Sequence, residues 1–334
     1  MKRKNFKHWS LFIALQLITL SLFAQGPNNT GTYYQSANGK KGKALKTAMF
    51  KIISKHSSLS YDGLWTAFKT TDKREDGKVW DMYSCTTNFR FGTDQAGSYK
   101  KEGDVYNREH SFPKSWFGGK NPPMYTDLVH LVPTDGKVNG MRGNYPFGEN
   151  KGEKYSSNKG FSKLGKCTYP GYTGTVFEPN DMYKGDFARI YFYMATAYED
   201  KIANWNAGEF APIASHNSYK PYKDWQMNML MEWAKKDPVS QKEIDRNRGI
   251  QQKQNNRNPF VDYPGLEEYI WGSMQNVAFS YDNYQGVSSI SFIEFETGPI
   301  YPKGWYNLNG QKVGDECPTQ KGIYIHHGKK MVIK

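Results

Sequence analysis

Residues 186–201, DFARIYFYMATAYEDK, constrain the fold more than any other stretch of the chain. Read as a helix, this segment is apolar on every side. Such a helix must be enclosed by other elements. Two helices are predicted that can help to enclose it. Leu45, Met49, Ile52 and Ile53 fall on one helical face and predict a helix over 38–56, and Trp225 to Trp233 predicts an amphipathic one. Residues 78–91, aromatic and rich in β-formers, predict a strand. Residues 92–175 are different: Gly, Asn, Lys, Pro and Tyr dominate, and long apolar runs are few. That region is expected to fold as loops and short strands on a scaffold supplied elsewhere. With no internal repeat in sight, 25–287 is expected to form one α+β domain.

The two ends have other purposes. Lys2, Arg3, Lys4 and Lys7 precede an apolar run from Leu11 to Phe23, and Ala24 stands before Gln25-Gly26-Pro27. This is the pattern of a signal peptide over 1–24, and its apolar run is too short for a stable membrane span. The chain has 45 Lys and Arg against 32 Asp and Glu, a net +13, of which the leader carries four. The mature protein therefore keeps +9. Export would place Cys85 and Cys167 where a disulfide can form, but sequence leaves open whether they pair or stay free. From residue 288 the sequence changes to GWYNLNGQKV and GIYIHHGKKMVIK, with Asn309-Gly310 and His327-Gly328 between alternating apolar runs. These are hairpin signals and predict a small all-β tail over 288–334. Composition excludes a polytopic membrane protein, and three cysteines are too few for a disulfide-rich scaffold. The 16% aromatic content argues against wholesale disorder.

The chemically dense stretch is YNREHSFPKSWFGG (106–119), followed by DLVHLVPTDGKVNGMRGNYPFGE (127–149). Glu109 stands beside His110, and Asn139 and Arg142 follow. Hydrolysis of a phosphodiester needs an activated water, a cation on the phosphate and a stabilised leaving oxygen. A neutral imidazole can take the proton from water near pH 7. Mg²⁺ accepts one or two protein oxygens and keeps several waters; Glu109 can supply a carboxylate and Asn139 a neutral carbonyl oxygen. Arg142 can turn a planar fork of donors to a phosphate. At the end of a strand, the alternation of side chains lets Glu109 and His110 serve different partners. Thr134 or Asp135 can cap a short helix over 136–144, placing Asn139 and Arg142 on one face. Lys114, Lys120 and Lys137 add charge that nucleic-acid phosphates favour. Each feature also has an ordinary reading, as a loop pair, an Asn-Gly turn or a solvated arginine. No HExxH, paired zinc-ligand cysteines, phosphate loop or nucleophile elbow is present.

These residues closely resemble the endonuclease I family of secreted or periplasmic nucleases. The resemblance rests on Asn107-Arg108-Glu109-His110, Pro113, Trp116-Phe117-Gly118, Asp127-Leu128, His130-Leu131-Val132-Pro133, Val138-Asn139-Gly140, Arg142 and Asn144-Tyr145. A second block adds Asp237-Pro238-Val239, Glu243, Arg246-Asn247, Gln254, Asn256-Arg257-Asn258-Pro259-Phe260 and Asp262. The two cover about 40–271. The resemblance implies a ββα-metal (His-Me finger) site in a mixed α/β domain, with His110 as general base and Glu109 and Asn139 on one Mg²⁺, with Mn²⁺ or Ca²⁺ as substitutes. It implies cleavage of DNA, and often RNA, with little base preference, leaving 5′-phosphates. Two departures stand out. Tyr125 sits where some relatives carry an acid, and the arginine that some carry about twenty residues after the histidine is absent. Arg142 or a residue of the second block is the expected substitute. His130 is assigned a structural role, because relatives often place Asn there. Arg246, Asn247, Arg257 and Asn258 are open between phosphate binding and buried support. The tail resembles the C-terminal sorting domain of Bacteroidetes proteins exported by type IX secretion, through residues 308–313, 322–325 and 329–334. A secreted or cell-surface monomer is expected, with the secretion machinery as a partner. The rival reading is a non-catalytic surface protein that binds polyanions or glycans.

Overall fold

The computed structural model describes residues 26–95, 98–205 and 208–286, and in the tail 304–307, 311–314, 318, 320, 322–326 and 329–333. The segment 1–24, Cys317 and the turns at Asn309-Gly310 and His327-Gly328 lie outside the described residues. The chain divides into two compact units between Ser288 and Ser289.

In the first unit the predicted core helix is α4 (Lys184–Ala197), and every residue after Lys184 is buried. It is packed by α5 (Asp224–Lys236), α1 (Gly42–Ile53) and α7 (Pro259–Asp262). The inward face of α1 carries Leu45, Met49 and Ile53, as their spacing predicts. Between α1 and the first strand lies α2 (Gly63–Thr71), which packs on α6 (Gln241–Gln254). Helix α6 opens with a reciprocal capping box between Ser240 and Glu243. The short α8 (Leu266–Ile270) closes the helical layer against α1.

The expected strand over 78–91 does not form. Asp81 accepts hydrogen bonds from the backbone of Tyr83 and Ser84 and from the Thr87 hydroxyl. Such local partners compete with a ladder and hold the segment as a loop. Its apolar residues are used in the core instead: Val79 and Phe89 pack on Tyr106, with Trp65 and Phe91 at the margin.

Strands β1 (Tyr106–His110) and β2 (Leu131–Asp135) form an antiparallel pair, with Glu109 opposite Val132 and His110 opposite Leu131. Helix α3 (Gly136–Arg142) follows directly, its first turn capped by the Asp135 carboxylate on the Val138 amide. Asn139-Gly140 is thus helical and not a turn. A Cβ at Gly140 would lie 2.1 Å from the Tyr99 hydroxyl, so the position serves close packing. A second antiparallel sheet, β3 (Tyr155–Ser156), β4 (Lys163–Lys166) and β5 (Thr175–Glu178), completes the α+β unit.

The second unit is all β. Strands β6 (Trp305–Tyr306), β7 (Lys312–Gly314), β8 (Gly322–His326) and β9 (Lys329–Ile333) form one antiparallel sheet in the order β7-β6-β8-β9.

Candidate active site

The β1–β2–α3 element opens on a pocket of about 300 Å³ whose lining includes Glu109, His110, Asn139 and Arg142, the four residues singled out from the sequence. Tyr61, Trp65, Asn107, Arg108 and Lys114 line it too, whereas Lys120 and Lys137 do not.

His110 is buried, and its Nε2 lies 3.0 Å from the backbone carbonyl oxygen of Tyr125. A carbonyl can only accept, so Nε2 carries the hydrogen and Nδ1 keeps the lone pair. The Tyr125 ring stacks on the imidazole at 5.2 Å between centroids, and Tyr61 lies parallel to it at 6.1 Å. Burial, and then the neighbouring His130, push the His110 pKa down to about 3. The ring is therefore a neutral, oriented base at neutral pH.

Glu109 is equally enclosed. Its Oε1 accepts from the Tyr83 hydroxyl and from Arg142 Nη1, each at 2.9 Å. Burial raises its pKa, opposed by the Arg142 charge and by hydrogen bonds from Tyr83 and Asn139. The Asn139 amide is held by its nitrogen end: Nδ2 donates to Asn107 Oδ1 at 2.6 Å. That leaves the Asn139 carbonyl oxygen as the end with ligand character.

Arg142 has a different place from the one expected. Its side chain is 1% exposed, and Nη1 and Nη2 reach Glu109, the His110 carbonyl and the Ser111 carbonyl. The fork is engaged with the protein and does not face an incoming phosphate. It is the counter-charge of Glu109 and it fixes the end of β1. The cations left to the pocket are Lys114 and Arg108. Lys114 is exposed and close enough to His110 to help depress its pKa. The Arg108 guanidinium sits 3.5 Å from the Tyr61 ring centroid and 4.3 Å from that of Trp65, with Nη1 donating to the Tyr61 carbonyl and Asp62.

The turn Met124–Thr126, which presents the Tyr125 carbonyl, is anchored by the buried Asp127. That carboxylate accepts from the Val129 amide, Gln254, Tyr193 and Tyr198, with His56 Nε2 3.4 Å away. Burial alone would raise its pKa, but His56, His130 and the hydrogen bonds hold it below the ordinary carboxylate value. His130 is fully buried, with Nε2 2.7 Å from the Met124 carbonyl, and so belongs to this support.

The second block is support as well. Arg246 pairs with Asp72 and donates to the carbonyls of Leu128, Val129 and Leu131. Arg257 pairs with Asp262, and Asn247 and Asn258 bond each other's backbone or side chain across a buried turn. Cys85 and Cys167 are free thiols, one exposed and one buried.

Sequence reasoning gave no role to Tyr83, Asn107, Tyr61 or the Tyr125 carbonyl. Tyr83 lies 26 positions before Glu109 in a loop, where no periodicity marks it. Asn107 is two residues from Glu109 on the same strand face, and that alternation was the available signal.

A group of three or more His, Cys, Asp or Glu side chains able to hold a metal does not occur among the described residues. One carboxylate with one amide oxygen is instead a donor set for a hard, water-rich divalent ion.

The pocket gathers a base, a carboxylate and an amide oxygen, and comparison with known proteins gives the class as a nuclease. A family model described as Endonuclease I matches residues 41–265. The chain belongs to the endonuclease I family. It is 39% identical over 266 residues to an extracellular ribonuclease of Bacillus subtilis (strain 168), covering 76% of this chain and 83% of the relative. An extracellular ribonuclease of Bacillus amyloliquefaciens is also 39% identical, over 73% of this chain and 79% of its own length. A periplasmic deoxyribonuclease of Aeromonas hydrophila is 25% identical over 76% of this chain and 97% of its own. Among the described residues no helix is long and apolar enough to cross a membrane.

Proposed function

We propose that this protein is an exported endonuclease that hydrolyses phosphodiester bonds of RNA and DNA with little base selection, leaving 5′-phosphate ends. The observation that carries this reading is the His110 ring, neutral and held by the Tyr125 carbonyl so that Nδ1 is the basic atom, in one pocket with Glu109 and Asn139. His110 takes a proton from a water at Nδ1 as the oxygen attacks phosphorus and the 3′ oxygen departs. Glu109 and the Asn139 carbonyl oxygen would hold one Mg²⁺, or Mn²⁺ or Ca²⁺ in its place. A bound divalent ion supplies Lewis-acid stabilisation of the charge that builds on the phosphate and the leaving oxygen. Arg142 positions Glu109, and Asn107 positions Asn139. Lys114, with Arg108 beside it, neutralises the phosphate in place of the arginine that some relatives carry.

The pocket offers cations and few base-reading groups, which fits contacts that carry no sequence information. Relatives named for ribonuclease and for deoxyribonuclease activity support both polymers as substrates. Their extracellular and periplasmic descriptions support export. The basic and apolar pattern of 1–24 supports a signal peptide there, and the resemblance of the tail supports 288–334 as a sorting segment for the type IX machinery, with 25–287 as the nuclease domain. A non-catalytic polyanion- or glycan-binding protein would have no use for an oriented neutral imidazole.

The deciding experiment is digestion of duplex DNA, single-stranded DNA and RNA with Mg²⁺ and with EDTA, followed by end analysis. Cutting that stops in chelator and leaves 5′-phosphates is expected. Cutting that persists in chelator overturns the single essential metal, and no cutting of any polymer overturns the nuclease mechanism.

A further inference from the structure

The excess charge of the nuclease unit is concentrated in one place. From Gly26 to Tyr61 the sequence holds six lysines (40, 41, 43, 46, 51 and 55) and no Asp or Glu. Residues 62–287 hold 29 Lys and Arg against 28 Asp and Glu, a net of only +1. Nearly all of the unit's net positive charge therefore belongs to α1 and its flanks.

The structure turns part of that charge outward. Lys40, just before α1, and Lys43, Ala44, Thr47, Ala48 and Lys51, along one face of it, line an open groove of about 580 Å³. The three lysines are exposed, and no carboxylate pairs with them among the described residues. Between them the groove is lined by small side chains, which lets a strand approach the helix closely. The carboxylate that touches this lining is Glu199, which accepts from the Thr47 hydroxyl. It is shared with the buried ammonium of Lys46, whose other contact is the Ser218 carbonyl. Lys43 and Lys51 are about 12 Å apart along the helix axis, at 1.5 Å per residue. That span matches several phosphates of one strand. Eight residues after α1 the chain enters the site, where Tyr61 lines the catalytic pocket.

We propose that this groove on α1 is a second binding surface for nucleic acid, gripping the phosphate backbone of a long substrate away from the bond that is cut. A site without base contacts suits it, because lysines on a helix face bind phosphates as point charges. The choice of nucleic acid as the polyanion rests on the nuclease reading. The groove itself rests on charge and shape.

The test uses the full mature chain and the variant Lys40→Gln/Lys43→Gln/Lys51→Gln. Binding of a 40-base-pair duplex is measured in EDTA across a salt series. Hydrolysis of the same duplex and of a hexanucleotide is measured with Mg²⁺. Exposed lysines leave the fold unchanged, which thermal melting verifies. Duplex affinity should fall about tenfold or more, and the slope of log K against log salt should become shallower by about 3. Hexanucleotide cleavage should be unchanged. An unchanged salt slope overturns the proposal, whether or not the protein cuts. A shallower slope in a protein that cuts nothing upholds the groove and removes the nuclease mechanism instead. Binding to anionic phospholipid vesicles that needs the three lysines, with duplex binding that does not, overturns it in favour of a membrane surface.

Discussion

The chain contains two blocks of similar composition with opposite use. The block around β1 and α3 presents Arg, Glu, His and Asn, and the block at α6 and α7 presents Arg, Asn, Glu and Asp. In the second, Arg246 has Asp72, Arg257 has Asp262, Glu243 has Arg189 of α4, and the two asparagines close on each other. In the first, the partners stop one atom short: His110 keeps Nδ1, Asn139 keeps its carbonyl oxygen, and Lys114 keeps its charge. Residue type does not separate a site from its scaffold here. The difference lies in which valences the protein leaves open.

The sharpest break of that contrast is His110→Ala. Loss of the open base should lower kcat about 10²–10⁴-fold with the melting curve unchanged, and near-normal plasmid cleavage would show that another group takes the proton. Next is Arg257→Met set beside Arg142→Met. Each strands a buried carboxylate, so each should cost about 3–5 kcal/mol in denaturant unfolding. Activity per folded molecule should survive in the first and collapse in the second; equal activities would erase the distinction between the blocks. Asn107→Ala is milder. It frees the Asn139 amide to rotate, and half-maximal activity should then need about ten- to a hundredfold more Mg²⁺. A Mg²⁺ requirement equal to wild type would remove Asn107 from the site.

The smallest effect concerns an exception within the scaffold. Glu267 Oε2 is buried and has no hydrogen-bond partner among the described residues, and burial pushes the carboxyl pKa up from 4.5 to about 7. Between those values the folded state holds a proton that the unfolded chain has lost. Stability therefore falls as pH rises from about 4.5 to 7. Glu267→Gln should flatten that slope in denaturant melts; an unchanged slope would place the titration elsewhere.

Much of this was legible in the sequence because it is local. The enclosed helix α4, the inward face of α1 and the Asp135 cap each follow from spacing within a few residues. The Glu109-His110 pair and Asn139 were legible because their chemistry is written in their side chains. The strand expected over 78–91 failed because β-forming residues could not outweigh Asp81, whose carboxylate organises the loop. Arg142 was misplaced for a related reason. Its fork fits a phosphate or a carboxylate with two carbonyls equally well, and only the fold brings Glu109 and Ser111 within reach. The Tyr125 carbonyl had no signal at all, since a backbone oxygen looks the same at every position.

That carbonyl has a consequence for turnover. With Nε2 tied to an acceptor that cannot take up a proton, His110 has no relay behind it. Whatever proton the proposed base collects at Nδ1 must leave by the face through which it came. The exit runs through the same mouth that holds the cleaved strand. Recharging the base therefore waits on the strand moving aside, so a tightly held product would slow the next cut by blocking the proton's way out.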